Sequence, residues 1–169
     1  MSDQENDSHR FDRLPETDAD RTVEGRATRQ EIVAWWNDRF GVDPAVFADY
    51  TFWEHGNGKV WAVRGEEATP IEVEGLGIAF MRTRQEHWKP TLTGVQRFGH
   101  HADENAVHLT REEARVFMRG DDQEHDWDGD WGYLVVTTDI AGEPEPLGVG
   151  LYVYGDLRSQ VPKGRRRDL

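Results

Sequence analysis

The residues of this sequence that could do chemistry are its histidines, a run of acids and a run of bases. Seven histidines are present, and imidazole is a good ligand for zinc and nickel. His100 and His101 are adjacent, however, and adjacent side chains of an extended segment point to opposite faces. Cysteine is absent, which excludes thiolate ligands, disulfides and cysteine nucleophiles. Since no acid–base pair stands out either, we predict no catalytic residue, no metal and no cofactor.

The acids are concentrated at residues 121–130, where six of ten residues are Asp or Glu. The part that starts at Asp126 has the alternating acids of a calcium-binding loop. Its glycine comes at the fourth position, however, and its twelfth residue is Thr137 instead of a glutamate. We therefore interpret this run as a solvated acidic loop.

The bases are concentrated at the end of the sequence. Residues 156–169 contain five bases and two acids, although the net charge of the chain is −13. A local basic patch is the electrostatic footprint of nucleic-acid binding. Pro162 fixes φ and Gly164 permits positive φ, which is typical of a shaped turn; a frayed end is the alternative. The predicted phosphate contacts are these five bases and three upstream ones: Arg82, Arg84, Lys89, Arg158, Lys163, Arg165, Arg166 and Arg167.

The composition is acidic and strongly biased towards arginine. The chain has 33 acids and 20 bases, and only three of the bases are lysine. Net charge of this size sets solubility rather than fold, and the pattern is typical of proteins from a halophilic cytoplasm. No segment approaches the roughly 20 apolar residues that a membrane helix needs. We therefore expect a cytoplasmic protein that does not contact a membrane.

Local signals divide the chain into three parts. Residues 1–27 are polar and aperiodic, which predicts a disordered acidic leader. Residues 28–74 predict a small α/β piece, with a capping box at 28–31 and a hairpin turn at Asn57-Gly58. Residues 75–169 predict short strands, an extended segment at 88–98 and a short helix that begins at a second capping box, Thr110 to Glu113. The predicted fold class is α+β, with a small, mainly antiparallel β-barrel after a helical and hairpin N-terminal piece.

The last part of the sequence carries a family resemblance. Four segments have the relevant order and spacing: 116–122, 132–136, 147–151 and 157–166. They resemble the PUA-like RNA-binding module at the C-terminus of Sun-family (RsmF-type) RNA 5-methylcytosine methyltransferases. Segments at 75–79, 89–91 and 96–109 look like the part of the chain that precedes such a module, so that the resemblance covers about residues 75–167.

The resemblance implies a PUA-like barrel that binds structured tRNA or rRNA, not DNA, beside an RNA-modifying enzyme or in ribosome biogenesis. Two departures limit what it implies. The family's Lys-Asn pair is Arg158-Ser159 here, which keeps the charge and loses the amide. The family also attacks the pyrimidine with cysteine, and it carries a SAM-binding domain that this sequence does not match. We therefore expect a stand-alone, non-catalytic RNA-binding protein.

Aromatic residues leave two further questions open. Tyr152, Tyr154 and Trp88 could stack unpaired bases or could be core residues, and strand alternation places both tyrosines on one face. Trp35 and Trp36 lie about 100° apart on one predicted helix, so that full burial of both in a small piece is not expected. An exposed tryptophan is a common anchor in protein interfaces. The alternative function is therefore a protein–protein adaptor that docks through residues 28–74.

Overall fold

A computed structural model describes residues 11–65 and 77–167 of the chain. The chain divides into two compact units. The first comprises Met1–Asp38 and Val42–Lys89, and the second comprises Arg39–Gly41 and Pro90–Leu169. The boundary expected between residues 74 and 75 lies outside the described residues. The units divide instead between Lys89 and Pro90, because the strands that follow residue 77 pair with the sheet of the first unit.

The first sheet has five strands in the order β1-β2-β3-β4-β5, and helix α1 precedes β2 in the chain. The elements are β1 (Phe11–Arg13), α1 (Arg29–Phe40), β2 (Tyr50–His55), β3 (Lys59–Arg64), β4 (Ile78–Arg82) and β5 (Lys89–Pro90).

Helix α1 begins at the predicted capping box. Thr28 N–H donates to Glu31 Oε1 over 2.9 Å, and Glu31 N–H donates to Thr28 Oγ1 over 3.0 Å. These bonds give partners to two of the backbone N–H groups that have no acceptor at the start of a helix. One side of the helix is apolar: Ile32 and Trp36 are fully buried, and the Trp36 ring stacks on Phe80 with 4.8 Å between ring centroids. The helix thus buries its apolar side against β4.

The prediction of a disordered leader is wrong for residues 11–27. Strand β1 pairs with β2, Phe11 is fully buried, and its ring stacks on His55 at 4.3 Å between centroids. Further along, Arg26 Nε donates to the buried Glu54 Oε1 over 3.0 Å. Burial raises the pKa of Glu54, and the charge of Arg26 opposes that rise. Composition did not predict this ordered segment, because a few apolar and charged contacts are enough to order a strand at the edge of a sheet.

The second sheet also has five strands, in the order β6-β8-β9-β10-β7. Strands β6 and β8 run parallel, and the other neighbours for which a register is given run antiparallel. The elements are α2 (Leu92–Phe98), β6 (Ala106–Leu109), α3 (Arg111–Met118), β7 (Gln123–Glu124), β8 (Gly132–Ile140), β9 (Glu143–Val153) and β10 (Asp156–Ser159). The predicted α+β class with a PUA-like, mainly antiparallel sheet is confirmed, and the sheet is a half-barrel.

One apolar core joins α3 to the second sheet. Phe117 on α3 is fully buried, as are Leu134 on β8 and Leu157 on β10. Val161, beyond the last strand, is 2% exposed and belongs to the same cluster. The core therefore extends past the sheet and fixes where the end of the described chain can lie.

The expectation of an extended segment over 88–98 is wrong beyond residue 90. Helix α2 occupies Leu92–Phe98, and the Thr91 side chain accepts a hydrogen bond from Gly94 N–H over 2.9 Å. Val95 and Phe98 are buried, which gives this short helix an apolar side. The proline at position 90 ends β5, and the threonine that follows it caps the helix.

The capping box of α3 yields a stability prediction. Glu113 N–H donates to Thr110 Oγ1 over 3.3 Å, and Thr110 N–H donates to Glu113 Oε1 over 2.9 Å. Thr110→Ala should lower the free energy of unfolding by about 1 kcal/mol, because it leaves a helix-start donor open. Glu112→Ala is the control: its exposed pair with Arg115 should change stability by less than about 0.5 kcal/mol. Urea unfolding measures both, and equal effects would contradict the cap assignment.

The same box predicts a dependence on pH. Burial alone would raise the pKa of Glu113, but hydrogen bonds from Thr110 and the interaction with His125 lower it. Ionised Glu113 therefore contributes stability above the pKa of an unfolded glutamate, and this contribution is lost as the pH falls through the lowered folded pKa. The difference in unfolding free energy between the wild type and Glu113→Gln should shrink from about pH 5 to about pH 3. A difference that does not change with pH would show that the charge of Glu113 does not contribute.

Candidate nucleic-acid interface

The basic chain end forms an ordered turn. Pro162 precedes a 3₁₀ turn at Lys163–Arg165, and Arg165 N–H donates to Pro162 O over 2.8 Å. Val161 anchors the start of the turn in the core. The predicted turn is therefore confirmed, although Gly164 lies within the 3₁₀ turn and not at positive φ, and the alternative of a frayed end does not hold for residues 161–167.

The chain end is also attached to the C-terminus of α3. Ser159 Oγ donates to Phe117 O over 2.7 Å, and Arg167 N–H donates to Met118 O over 2.8 Å. Met118 O, one of the last carbonyl groups of the helix, thus receives a donor from the chain end, and Phe117 O receives a second donor beside Gly120 N–H. Ser159 thus has a structural role at the position where the resembling family has asparagine.

Arg166 lies over the glycine that ends α3. Gly120 has a φ of +88°, and a Cβ added there would collide with the Arg166 guanidinium. Arg166 Nε donates to Val161 O over 3.3 Å. Glycine at position 120 therefore lets the chain reverse after α3 and also leaves room for the arginine side chain.

The five bases of the chain end differ in their internal contacts. Arg166 makes the contacts just described, and Arg167 Nη1 donates to Arg166 O over 2.8 Å. Arg158, Lys163 and Arg165 are exposed, and their side chains have no hydrogen bond or ion pair with the residues that the structure describes. These three cations can therefore contact an anionic ligand without breaking an internal contact.

The three upstream candidates belong to the first unit. Arg82 on β4 is exposed and pairs in register with Lys59 on β3. Burial lowers the pKa of Lys89, and the positive charge of Arg82 lowers it further. The structure thus brings Arg82 and Lys89 together and adds Lys59, which the sequence did not single out. Asn57-Gly58 located the β2–β3 hairpin, but no sequence signal revealed that β3 also pairs with β4.

The predicted phosphate contacts therefore fall into two sets. Arg82, Arg84 and Lys89 lie in the first unit; Arg158, Lys163 and Arg165 to Arg167 lie in the second. Arg84 is exposed and lies against Gly58 at the β2–β3 turn. The second set belongs to a segment that hydrogen bonds from Ser159 and Arg167 attach to the C-terminus of α3.

The two tyrosines proposed for base stacking do not share a face. Tyr152 is 4% exposed and its hydroxyl donates to His125 O over 2.7 Å, so it is a core residue. Tyr154 is 78% exposed and has a φ of +52°. Strand β9 ends at Val153, and the alternation of faces ends with it. The third candidate, Trp88, is half-buried.

The tryptophans of α1 do not provide the exposed anchor expected of an adaptor. Trp36 is fully buried, and Trp35 is half-buried with its ring edge-on to Trp36. The exposed tryptophan among the described residues is Trp131, which is 55% exposed and precedes β8. The sequence did not single out Trp131, because an aromatic residue beside a strand carries no local sign of its exposure.

A cleft in the second unit was also missed. It has a volume of about 700 Å³ and lies between α3 and the ends of β6, β8 and β9. Leu109, Ala114 and Leu147 contribute apolar surface, and Arg111 and Arg115 contribute positive charge. Asp139 contributes a carboxylate to the same lining, and Arg115 is paired with Glu112, so that the cleft carries charges of both signs.

Two classes of site are not found. The described residues, 11–65 and 77–167, contain no group of three or more His, Cys, Asp or Glu side chains that could hold a metal ion. Within the same ranges, no helix is long and apolar enough to span a membrane.

The attachment of the chain end can be tested with a pair of glycine variants. Gly120→Ala and Gly142→Ala both place an L-residue at positive φ, at a cost of about 1–2 kcal/mol each. Only a Cβ at position 120 meets Arg166, since no atom lies within 4 Å of one at position 142. Exchange of the Arg167 amide hydrogen should be slow in the wild type and in Gly142→Ala, and faster in Gly120→Ala. An unprotected Arg167 amide in the wild type would refute the attachment.

Comparison with known families matches both halves of the chain. Residues 1–77 match a family of unknown function (DUF7122), and residues 104–167 match the methyltransferase RsmF PUA domain. No match was found among curated proteins. The second match includes the complete span from β6's Ala106 to the 3₁₀ turn at the chain end. The resemblance seen in the sequence is therefore confirmed for these residues: the second unit contains a PUA-like module.

Proposed function

We propose that this protein binds structured RNA of the tRNA or rRNA class through the basic chain end of its second unit. Its role is non-catalytic and accessory, beside an RNA-modifying enzyme or in ribosome assembly. The observation that carries the proposal is the attachment of the basic turn to α3 within a PUA-like module, because it holds three uncommitted cations on a fixed surface.

Electrostatics supports this assignment of the interface. A chain with a net charge of −13 repels RNA at long range, so that binding must depend on local cations. Arg158 and Arg165 present planar guanidinium groups that can donate two hydrogen bonds to one phosphate, while Lys163 acts as a point charge. Because the turn is already ordered, binding does not require the chain end to become ordered.

The arrangement favours folded RNA that is recognised by its shape. Contacts to phosphates position a nucleic acid but carry little sequence information. Double-stranded RNA is recognised mainly through its backbone and its minor groove, since its major groove is too narrow for side chains. We therefore assign backbone contacts to the chain end and, where the RNA has an unpaired nucleotide, assign its base to the cleft beside α3.

Methyl transfer is not assigned to these 169 residues. The resembling methyltransferases use a cysteine nucleophile, and the sequence contains no cysteine. A methylation of that cysteine-dependent kind would therefore need a nucleophile from outside these 169 residues.

Crosslinking in cells identifies the class of RNA. Ultraviolet crosslinking followed by purification of the protein and sequencing of bound RNA should enrich tRNA or rRNA fragments over their share of total RNA. Recovery in proportion to cellular abundance, as for an unrelated acidic protein purified in parallel, would reject the proposal.

Charge reversal tests the assigned residues. The double variant Lys163→Glu/Arg165→Glu should weaken binding to tRNA transcripts of different sequence by a similar factor. The slope of log affinity against log salt should become shallower by roughly 0.7–0.9 for each lost contact. Stability should change by less than about 0.5 kcal/mol for each exposed site. Filter binding or fluorescence anisotropy over a salt series measures affinity and slope together.

Arg64→Glu/Arg97→Glu is the matched control, since it changes the net charge by the same amount at exposed arginines outside the predicted contacts. This control should leave the salt slope unchanged. Equal losses in both double variants would mean that total charge, rather than the chain end, governs binding.

A further inference from the structure

Two aromatic side chains of the second unit are exposed beside each other. Trp131 is 55% exposed and Tyr154 is 78% exposed, and their rings meet edge to face with 4.8 Å between centroids. Large aromatic side chains are normally buried, and an exposed pair is a common feature of interaction surfaces. The pair lies where β8 begins and β9 ends.

The backbone holds this pair in place. Tyr154 and Gly155 have φ values of +52° and +83° and form the tight turn between β9 and β10. Gly155 O accepts a hydrogen bond from His125 N–H over 3.1 Å, which ties the turn to the neighbouring loop. Tyrosine is a strained choice at positive φ, whereas asparagine and glycine adopt this conformation readily. An exposed tyrosine at such a strained position favours a role in binding over a role in packing.

The surroundings of the pair are acidic. Glu124 on β7 lies directly opposite Asp156 on β10, and like charges in that position destabilise a sheet. Asp126 and Asp128 are exposed in the loop that leads into Trp131. Within the described parts of the chain, none of these four carboxylates has a Lys, Arg or His partner within ion-pair distance. The surface therefore combines aromatic rings with four carboxylates that have no ion-pair partner among the described residues, while the half-buried Arg39 guanidinium lies beside Gly132.

This combination selects a cationic partner. The four carboxylates repel the phosphates of RNA, although the two rings alone could stack bases. A guanidinium group, in contrast, can stack on an aromatic face and form an ion pair with a neighbouring carboxylate. A segment rich in arginine would also relieve the repulsion between Glu124 and Asp156.

We propose that the aromatic–acidic surface, formed by Trp131, Tyr154, Glu124, Asp126, Asp128 and Asp156, docks an arginine-rich segment of a protein partner. This inference does not depend on the proposed RNA binding, because the two use different residues of the second unit. RNA and a basic protein segment can therefore bind the same unit at separate positions, as an accessory protein for a protein–RNA assembly requires.

The test uses the full chain and three labelled probes at one fixed salt concentration. The probes are a synthetic peptide of Arg-Gly repeats, a Lys-Gly peptide of equal length and charge, and oligouridylate. The variant is Trp131→Ala/Tyr154→Asn; asparagine suits the positive φ at position 154, so that the turn is retained. Ile140→Ala is the control for the two peptide probes, since Ile140 is an exposed apolar residue of the same unit that lies outside this surface, in the cleft beside α3.

The Arg-Gly peptide should bind the wild type more tightly than the Lys-Gly peptide does, because only the guanidinium stacks. The double variant should lose about tenfold in Arg-Gly affinity, and Ile140→Ala should lose none. Equal Arg-Gly binding by the wild type and the double variant would overturn the proposal, and so would a loss confined to oligouridylate, which would identify the pair as a base-stacking site. Affinity for tRNA, measured on the same variant, should be unchanged; this separates a failure here from a failure of the proposed RNA binding.

Discussion

The carbonyl groups at the end of α3 accept hydrogen bonds from the chain end, and the position of the chain end depends on these bonds. Phe117 O accepts from Ser159 Oγ, and Met118 O accepts from Arg167 N–H. These bonds fix the start and the end of the basic turn, while Val161 holds its apolar side in the core. The direction of the helix dipole adds to this, since the C-terminus of a helix favours nearby positive charge. A segment that carries the most concentrated positive charge of the chain is thus placed by helix capping and core packing.

The second unit separates charges of opposite sign along one strand. Strand β10 begins at Asp156, opposite Glu124, and its end leads into the basic turn. Arg158 lies between them, with its side chain exposed while the adjacent Leu157 is buried. Net charge alone would argue against RNA binding, because −13 repels phosphates at long range. Local separation of charge removes this objection, since screening limits the influence of distant acids to about 10 Å or less in physiological salt.

Features that depend on a few adjacent residues were predictable from the sequence. Both capping boxes, the Asn57-Gly58 hairpin and the shaped turn around Pro162 follow from side-chain chemistry over four or five residues, and the structure contains all of them. The PUA-like resemblance depended on the order of short motifs, and the family match covers residues 104–167 of that region.

Features that depend on long-range pairing or on a single unusual backbone angle were not predictable. Phe11 is buried because β1 pairs with a strand about forty residues away, so that local composition described it as part of a disordered leader. Tyr154 was placed on the face of Tyr152 by alternation, but a positive φ ends the strand before it. Lys59 joins Arg82 and Lys89 only through the pairing of β3 with β4. For Phe11 and Lys59 the deciding contact joins residues that are far apart in the sequence, and for Tyr154 it is a backbone angle that residue type does not reveal.

The central claim, that RNA is bound by the chain end attached to α3, is tested most directly by mapping amide NMR shifts during a titration with a tRNA transcript. The account predicts that the largest changes occur at residues 158–167 and at the C-terminal turn of α3, while the amides of Trp131 and Tyr154 change little. Changes centred on Trp131 and Tyr154, or confined to the first unit, with residues 158–167 unaffected at saturation, would contradict it.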